Sequence, residues 1–227
     1  DTAGLFGKSH AFLYDPLRGI QALSLGGDES SASEINEAGQ VIGRSKNPAD
    51  EYQAFLYDPV QGIKELSLGG NAGSAYDLNE AGQVAGLSGN TAGESHAFLY
   101  DPVKSIQQLS LGGTSGEAQT INEAGQVMGQ SFNAVGESQA FFYDPLLGIQ
   151  EVSLGDWSVA DEMTESGYVT GSSANMETSD PRDSHHFLYH PSIGIQKVEG
   201  FVLDINEAGQ VVGQHSIAIG QRQAFVY

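Results

Sequence analysis

The side chains best suited to chemistry in this 227-residue chain gather around one irregular stretch. Trp157 is the only tryptophan, and Asp180, Arg182, Asp183, His185 and His186 follow it, with His190 shortly after. An aromatic face can stack on a sugar ring while charged groups bond its hydroxyls, so this set suits a shallow glycan pocket. A shared histidine metal site fits less well, because adjacent residues of a strand, such as His185 and His186, point to opposite faces. A second set is acidic: Glu34, Asp77, Glu162 and Asp204 each precede the same apolar position of a repeat. Clustered carboxylates repel unless a cation or a proton neutralises them, and hard oxygen ligands suit Ca²⁺. Ca²⁺ is thus the cation this set would take, and no other cofactor is required. Asp180 and Glu162 are also the first pair to test for glycoside hydrolysis, which needs two acids at a suitable separation.

Those residues sit on a chain that repeats itself. INEAGQV at 35–41 returns as LNEAGQV at 78–84 and INEAGQV at 121–127 and 205–211, with a decayed MTESGYV at 163–169. HAFLYDP at 10–16 returns at 53–59, 96–102 and 139–145, decays to HHFLYHP at 185–191 and closes as QAFVY at 223–227. GIQALSLGG from Gly19 recurs from Gly62, Ser105 and Gly148. Repeats of about 43 residues therefore run over 41–83, 84–126, 127–168 and 169–210, with a shorter first copy at 5–40 and a partial copy at 211–227.

Each repeat holds four short strand candidates, a to d, between turn signals. In the second copy, a ends at Ile35, b is 40–43, c is 53–57 and d is 62–68. The 36–39 turn combines an Asn that can bond back to the backbone with a Gly that can take positive φ. No stretch has sustained helical periodicity, and the 30 glycines disfavour a helical repeat. Four antiparallel strands per repeat of this length predict an all-β single domain over 1–227, a β-propeller. Strands b and c occur six times, a and d five times. Six blades are expected, two of them incomplete at the closure, with five as the alternative. The incomplete ends offer open edges for an oligomer.

The meander puts a–b and c–d turns on one face and b–c and d–a loops on the other. The variable segments 44–52, 87–95, 130–138, 173–183 and 214–222 fall on the second face, where binding is expected. The recurrent Glu37, Glu80, Glu123, Glu165 and Glu207, and Asp15, Asp58, Asp101 and Asp144, read as exposed turn residues. The position before Ala-Phe alternates between His10, His96, His185 and Gln53, Gln139, Gln223, which suggests a structural bond to the backbone.

Composition narrows the function. With 9 Lys+Arg against 29 Asp+Glu the formal net charge is −20, which argues against nucleic-acid or anionic-lipid partners. No apolar run is long enough for a membrane helix. The absence of cysteine removes thiolate chemistry and disulfides. No G-x-S-x-G, H-E-x-x-H or phosphate-loop motif is present.

The strings HAFLYDP, LSLGG and INEAGQVVG resemble the HAF-type repeat of bacterial "probable extracellular repeat" proteins, over nearly the full length except 155–200. The resemblance implies an extracellular or cell-surface location, the leader being absent from this chain. It brings no reaction and no catalytic residues. The expected function is a non-enzymatic module recognising a glycan or protein surface through the b–c/d–a face. The alternatives are a structural surface-repeat protein and a glycan-active hydrolase or lyase with one site in the divergent repeat.

Overall fold

The computed structural model describes residues 8–175, 184–218 and 221–227. All regular structure in them is strand. The chain divides into two compact units, Asp1–Gln108 and Leu109–Tyr227.

In the first unit, β1 (Ala11–Asp15) pairs with β2 (Gly19–Leu23). A four-stranded antiparallel sheet follows: β3 (Ser30–Ile35), β4 (Val41–Lys46), β5 (Tyr52–Asp58) and β6 (Gly62–Leu66). The next repeat gives β7 (Gly69–Leu78), β8 (Val84–Asn90), β9 (Ser95–Asp101) and β10 (Ser105–Leu109). In the second unit β11 (Gly112–Ile121), β12 (Val127–Asn133), β13 (Ser138–Asp144) and β14 (Gly148–Val152) form the same meander. So do β15 (Trp157–Met163), β16 (Val169–Ala174), β17 (Ser184–His190) and β18 (Gly194–Val198). The last sheet has three strands: β19 (Phe201–Ile205), β20 (Val211–Ala218) and β21 (Gln221–Val226). The expected order a, b, c, d therefore holds in the four complete repeats, with c and d described in the first copy and a, b and c in the last. The first b strand lies outside the described residues.

Apolar side chains from neighbouring sheets pack face to face. Ile42, Leu56 and Leu66 of one sheet meet Ala75, Leu78, Val84 and Phe98 of the next. In the second unit Met128, Phe142 and Val152 meet Val169, Phe187 and Tyr189. A lone meander could not hide these residues, so stacking is what makes each repeat stable.

The strand a pattern hides a device that the apolar spacing does not reveal. The a–b register shifts between Ala32 and Glu34, Ala75 and Asp77, Ala118 and Thr120, Ala160 and Glu162, and Val202 and Asp204. One extra residue enters the strand there, which is a β-bulge. The inserted residue is Ser33, Tyr76, Gln119, Asp161 or Leu203.

Candidate functional site

The a–b turn is built as expected and then does more. Asn36 N–H donates to the Gln40 carbonyl at 3.1 Å, and Asn36 Oδ1 accepts the Gln40 N–H at 2.9 Å. Gly39 closes the turn at φ +76°, a conformation in the left-handed region that favours glycine. The Gln40 side chain then donates to Asp58 Oδ2 of the c–d turn at 2.9 Å. Asp58 Oδ1 accepts the N–H groups of Val60 and Gln61 at 2.8 and 2.9 Å. The Gln40 amide, followed by the backbone N–H groups of Gln61 and Val60, holds the Asp58 carboxyl below its ordinary value. Gln83–Asp101 and Gln126–Asp144 repeat this lock at 2.8 and 2.9 Å. Asp58, Asp101 and Asp144 are thus half-buried and hydrogen-bonded, a correction to their reading as exposed turn residues. Asp58→Ala removes three accepted bonds and is expected to cost about 1–2 kcal/mol. Urea unfolding should show it, with Asp58→Asn less affected because it keeps the Oδ1 acceptor.

Successive a–b turns are joined as well. Asn36 Nδ2 donates to the Asn79 carbonyl at 3.1 Å, and Glu37 N–H donates to the Glu80 carboxylate at 3.2 Å. In the second unit Asn122 Nδ2 reaches the Glu165 carbonyl at 3.2 Å, and Glu123 N–H reaches Glu165 Oε2 at 2.9 Å. Glu165 and Ser166 N–H both donate to Glu207, at 3.2 and 2.9 Å. Backbone and hydroxyl donation from Ser166, together with the Glu165 N–H, holds the Glu207 carboxyl below its ordinary value. The exposed glutamates of these turns therefore act as acceptors for the turn before them. A tyrosine contact runs beside this relay: Tyr57 OH donates to Gln21 at 3.1 Å, Tyr189 OH to Gln150 at 2.6 Å and Tyr227 OH to Gln196 at 3.3 Å.

The first turn breaks the pattern. Among the described residues no donor reaches the Glu37 carboxylate, and Asp15 accepts through Oδ1 alone, from the Leu17 and Arg18 N–H groups. Ile35 is 55% exposed although its counterparts Leu78, Ile121 and Ile205 are buried. Tyr14 is 62% exposed, whereas Tyr57, Tyr100 and Tyr189 are buried. These side chains line a cavity of about 450 Å³, with Tyr57, Gln21 and Arg18 completing its wall. A smaller cavity of about 180 Å³ lies one repeat on, beside Asp58, Lys64 and Tyr100. Lys64 there sits 4.4 Å over the Tyr100 ring. Both cavities are at the a–b/c–d turn end.

The opposite end is less variable than its sequence suggests. Asn47, Asn90 and Asn133 each begin a b–c turn, with Oδ1 accepting the N–H of Glu51, Glu94 or Glu137 at 3.0–3.1 Å. The same turn therefore recurs at 44–52, 87–95 and 130–138, and Asp50 takes the positive φ that Gly93 and Gly136 take. Trp157 lies at this end, half-buried, opposite Ala174 in the pairing of β15 with β16. Asp180, Arg182 and Asp183 lie outside the described residues.

His190 stands at the other end of β17, by the c–d turn, and so does not join Trp157. Its ring stacks on Tyr168 at 4.4 Å, and its Nδ1 accepts the Ser192 N–H at 3.2 Å. Tyr168 replaces the lock glutamine and His190 the lock aspartate, so a ring stack takes over from a hydrogen bond. His185 and His186 alternate along a regular strand and face opposite sides. His186 meets Phe201 edge-on at 4.6 Å. Burial lowers its pKa, with Asp161 opposing, and burial raises that of Asp161. Of the residues before Ala-Phe, Gln53 and Gln139 do donate to backbone, to the Gly70 and Gly155 carbonyls. Buried His96 instead meets the Glu94 carboxylate at 3.2 Å.

The acidic set resolves into pairs within each unit. Leu78 N–H donates to both Glu34 Oε2 at 3.0 Å and Asp77 Oδ1 at 2.8 Å, so the two carboxyl groups converge on one amide. Burial, then a hydrogen bond and the charge of Asp77, pushes the Glu34 carboxyl up to about 7. In the second unit burial and the Asp204 charge raise Glu162. Among the described residues no three His, Asp or Glu side chains converge as metal ligands. Proton sharing is the neutralisation that the Glu34–Asp77 geometry supports.

Comparison with solved structures decides the architecture. The chain superimposes on the β-propeller domain of the Trilobed protease from Pyrococcus furiosus with TM-score 0.54 and 12% identity, over 98% of this chain and 69% of that one. The fold is a β-propeller. Dipeptidyl peptidase 4 from Porphyromonas gingivalis also matches the propeller, at TM-score 0.53 and 14% identity over 81% of this chain. TolB from Acinetobacter baumannii matches at 0.49 and 12% over 96% of it. The propeller spans 28% and 56% of those two proteins' lengths. No family model matches the sequence, and no curated protein matches it.

Proposed function

We propose that this propeller is a non-enzymatic binding module that recognises a glycan surface through the b–c/d–a loop end. The observation that carries this reading is Trp157, half-buried at that end opposite Ala174, since an aromatic face suits stacking on a sugar ring. The six sheets support six blades, the first and last incomplete among the described residues. The HAF-type resemblance supports a place at the cell surface.

Binding on an oligosaccharide array that Trp157→Ala removes would support the reading, and an array that stays blank for the parent protein would overturn it.

A further inference from the structure

The tyrosine that closes the Phe-x-Tyr string finds the same kind of partner in three copies. Tyr57 OH donates to Gln21 Oε1, Tyr189 OH to Gln150 Oε1 and Tyr227 OH to Gln196 Oε1. Each of these glutamines is the third residue of a strand d. At the third residue of β6 the glutamine gives way to Lys64. Lys64 Nζ donates to Tyr100 OH at 3.2 Å, so the phenol oxygen becomes an acceptor. Its own proton then lacks the amide oxygen that the other copies offer. Lysine carries three N–H donors and no acceptor, and no carboxylate pairs with Lys64 among the described residues. An ammonium and a phenol O–H therefore meet with no acceptor between them. They do so at the cavity of about 180 Å³, where Leu56 and Pro102 supply apolar wall and Asp58 a carboxylate. Asp58 Oδ1 already accepts two N–H groups, whereas Oδ2 accepts only the Gln40 amide and has room for one more donor. All these residues belong to the first unit.

We infer that this cavity is a binding site for a small carboxylate that bears its own hydrogen-bond donor, a hydroxy acid or an amino acid of a few heavy atoms. Lys64 Nζ and the Tyr100 O–H hold the carboxylate, and Asp58 Oδ2 accepts the ligand's hydroxyl or ammonium proton. Hydrogen bonds between ionised partners are roughly twice as strong as neutral ones, which suits a ligand with so few atoms. The cavity is smaller than the roughly 300–1,000 Å³ that takes a drug-sized molecule. Asp58 repels a ligand that brings only negative charge, so the donor on the ligand is part of the recognition. The site uses none of the residues of the glycan reading, and the failure of either leaves the other standing.

Titration of the ¹⁵N-labelled full chain with glycolate, glycine and acetate at constant ionic strength tests it. Glycolate or glycine should shift the amide signals of Gln61, Gly62, Lys64 and Tyr100 saturably, with a Kd of about 0.1–1 mM. Which of the two saturates names the source as a hydroxy acid or an amino acid. Acetate, which lacks the donor, should bind about tenfold more weakly. Lys64→Gln gives Tyr100 the acceptor that the other tyrosines use, so it should fold as the parent does and lose the saturable shifts. Tyr100→Phe should weaken binding about tenfold. Circular dichroism and urea unfolding check the fold of both variants. Shifts that stay linear up to about 50 mM of either probe, or saturable shifts that Lys64→Gln leaves intact, would overturn the inference. Acetate binding as tight as that of both other probes would overturn the role given to Asp58.

Discussion

Phe98→Ala is expected to destabilise the first unit by about 3–5 kcal/mol, a large share of a domain's whole stability. Phe98 is fully buried among Ile42, Leu56, Leu66 and Val84, the residues that join two neighbouring sheets. Beneath its ring lies Gly86 of β8. A Cβ added at Gly86 would stand 2.3 Å from the Ser74 carbonyl oxygen and 2.8 Å from the Phe98 ring. Gly86→Ala should therefore cost about 1–3 kcal/mol through overpacking. Removing the ring does not free that space, because the Ser74 carbonyl is backbone and cannot swing away. The double variant should thus be close to the sum of the two singles, although the residues touch. Urea unfolding of the three variants checks this. A loss below about 1 kcal/mol for Phe98→Ala, or full rescue of Gly86→Ala by it, would contradict the packing described.

Glu34→Gln is expected to stabilise the protein at pH 8 and to leave it nearly unchanged at pH 4. The folded Glu34 carboxyl is held up to about 7 against an ordinary 4.5, by burial first and then by Asp77. The folded state therefore keeps a proton that the unfolded chain releases. The stabilisation that proton brings is complete below about pH 4.5 and is lost as pH rises toward 7. Basic groups on the adjoining strand do not offset it: Arg44 lies over the Tyr52 ring at 4.9 Å, and Lys46 pairs with Asp50 at 2.8 Å. Gln at 34 keeps an oxygen for the Leu78 N–H and removes the like charge. The gain at pH 8 should be about 1 kcal/mol after allowing for solvent screening, or a Tm rise of about 2–4 °C. Asp58 and Asp144, whose carboxyls are lowered chiefly by glutamine amides, act with the opposite sign. Their contribution is present above the ordinary aspartate value and is lost as pH falls through the lowered one. Stability should therefore peak near about pH 5. Scanning calorimetry from pH 3 to 8 reads both slopes. Destabilisation by Glu34→Gln at pH 8, reversed by chelator treatment of the parent protein, would mean that the pair is bridged by a cation such as Ca²⁺.

The strand order was legible in the sequence because each repeat punctuates its strands with the same turn residues. Asn36 and Gly39 fold back as their types require, and Phe98 is buried where alternation puts it. The bulges at Ser33, Tyr76, Gln119, Asp161 and Leu203 were not legible. An extra residue in strand a leaves the flanking apolar positions in place and takes a different type in every copy. The b–c turns were misread as variable because Pro48, Ala49 and Asp50 differ from Thr91, Ala92 and Gly93. The Asn and Glu that close those turns are constant in three copies. His190 looked like a candidate ligand, yet with Tyr168 it forms a substituted lock, a pairing visible only once the two turns are brought together. The cavity at the first repeat had no motif to betray it. Its lining residues are ordinary turn and strand residues of the repeat.

The claim beneath the account is that Glu80, Glu165 and Glu207 each serve as acceptor for the turn before them. A carboxyl-detected NMR titration of Glu207, followed together with the Glu165 and Ser166 amide protons, tests this most directly. Glu207 should titrate below the ordinary glutamate value, and both amide protons should move in step with it. A Glu207 titration at the ordinary value, with the two amides indifferent to it, would contradict the relay.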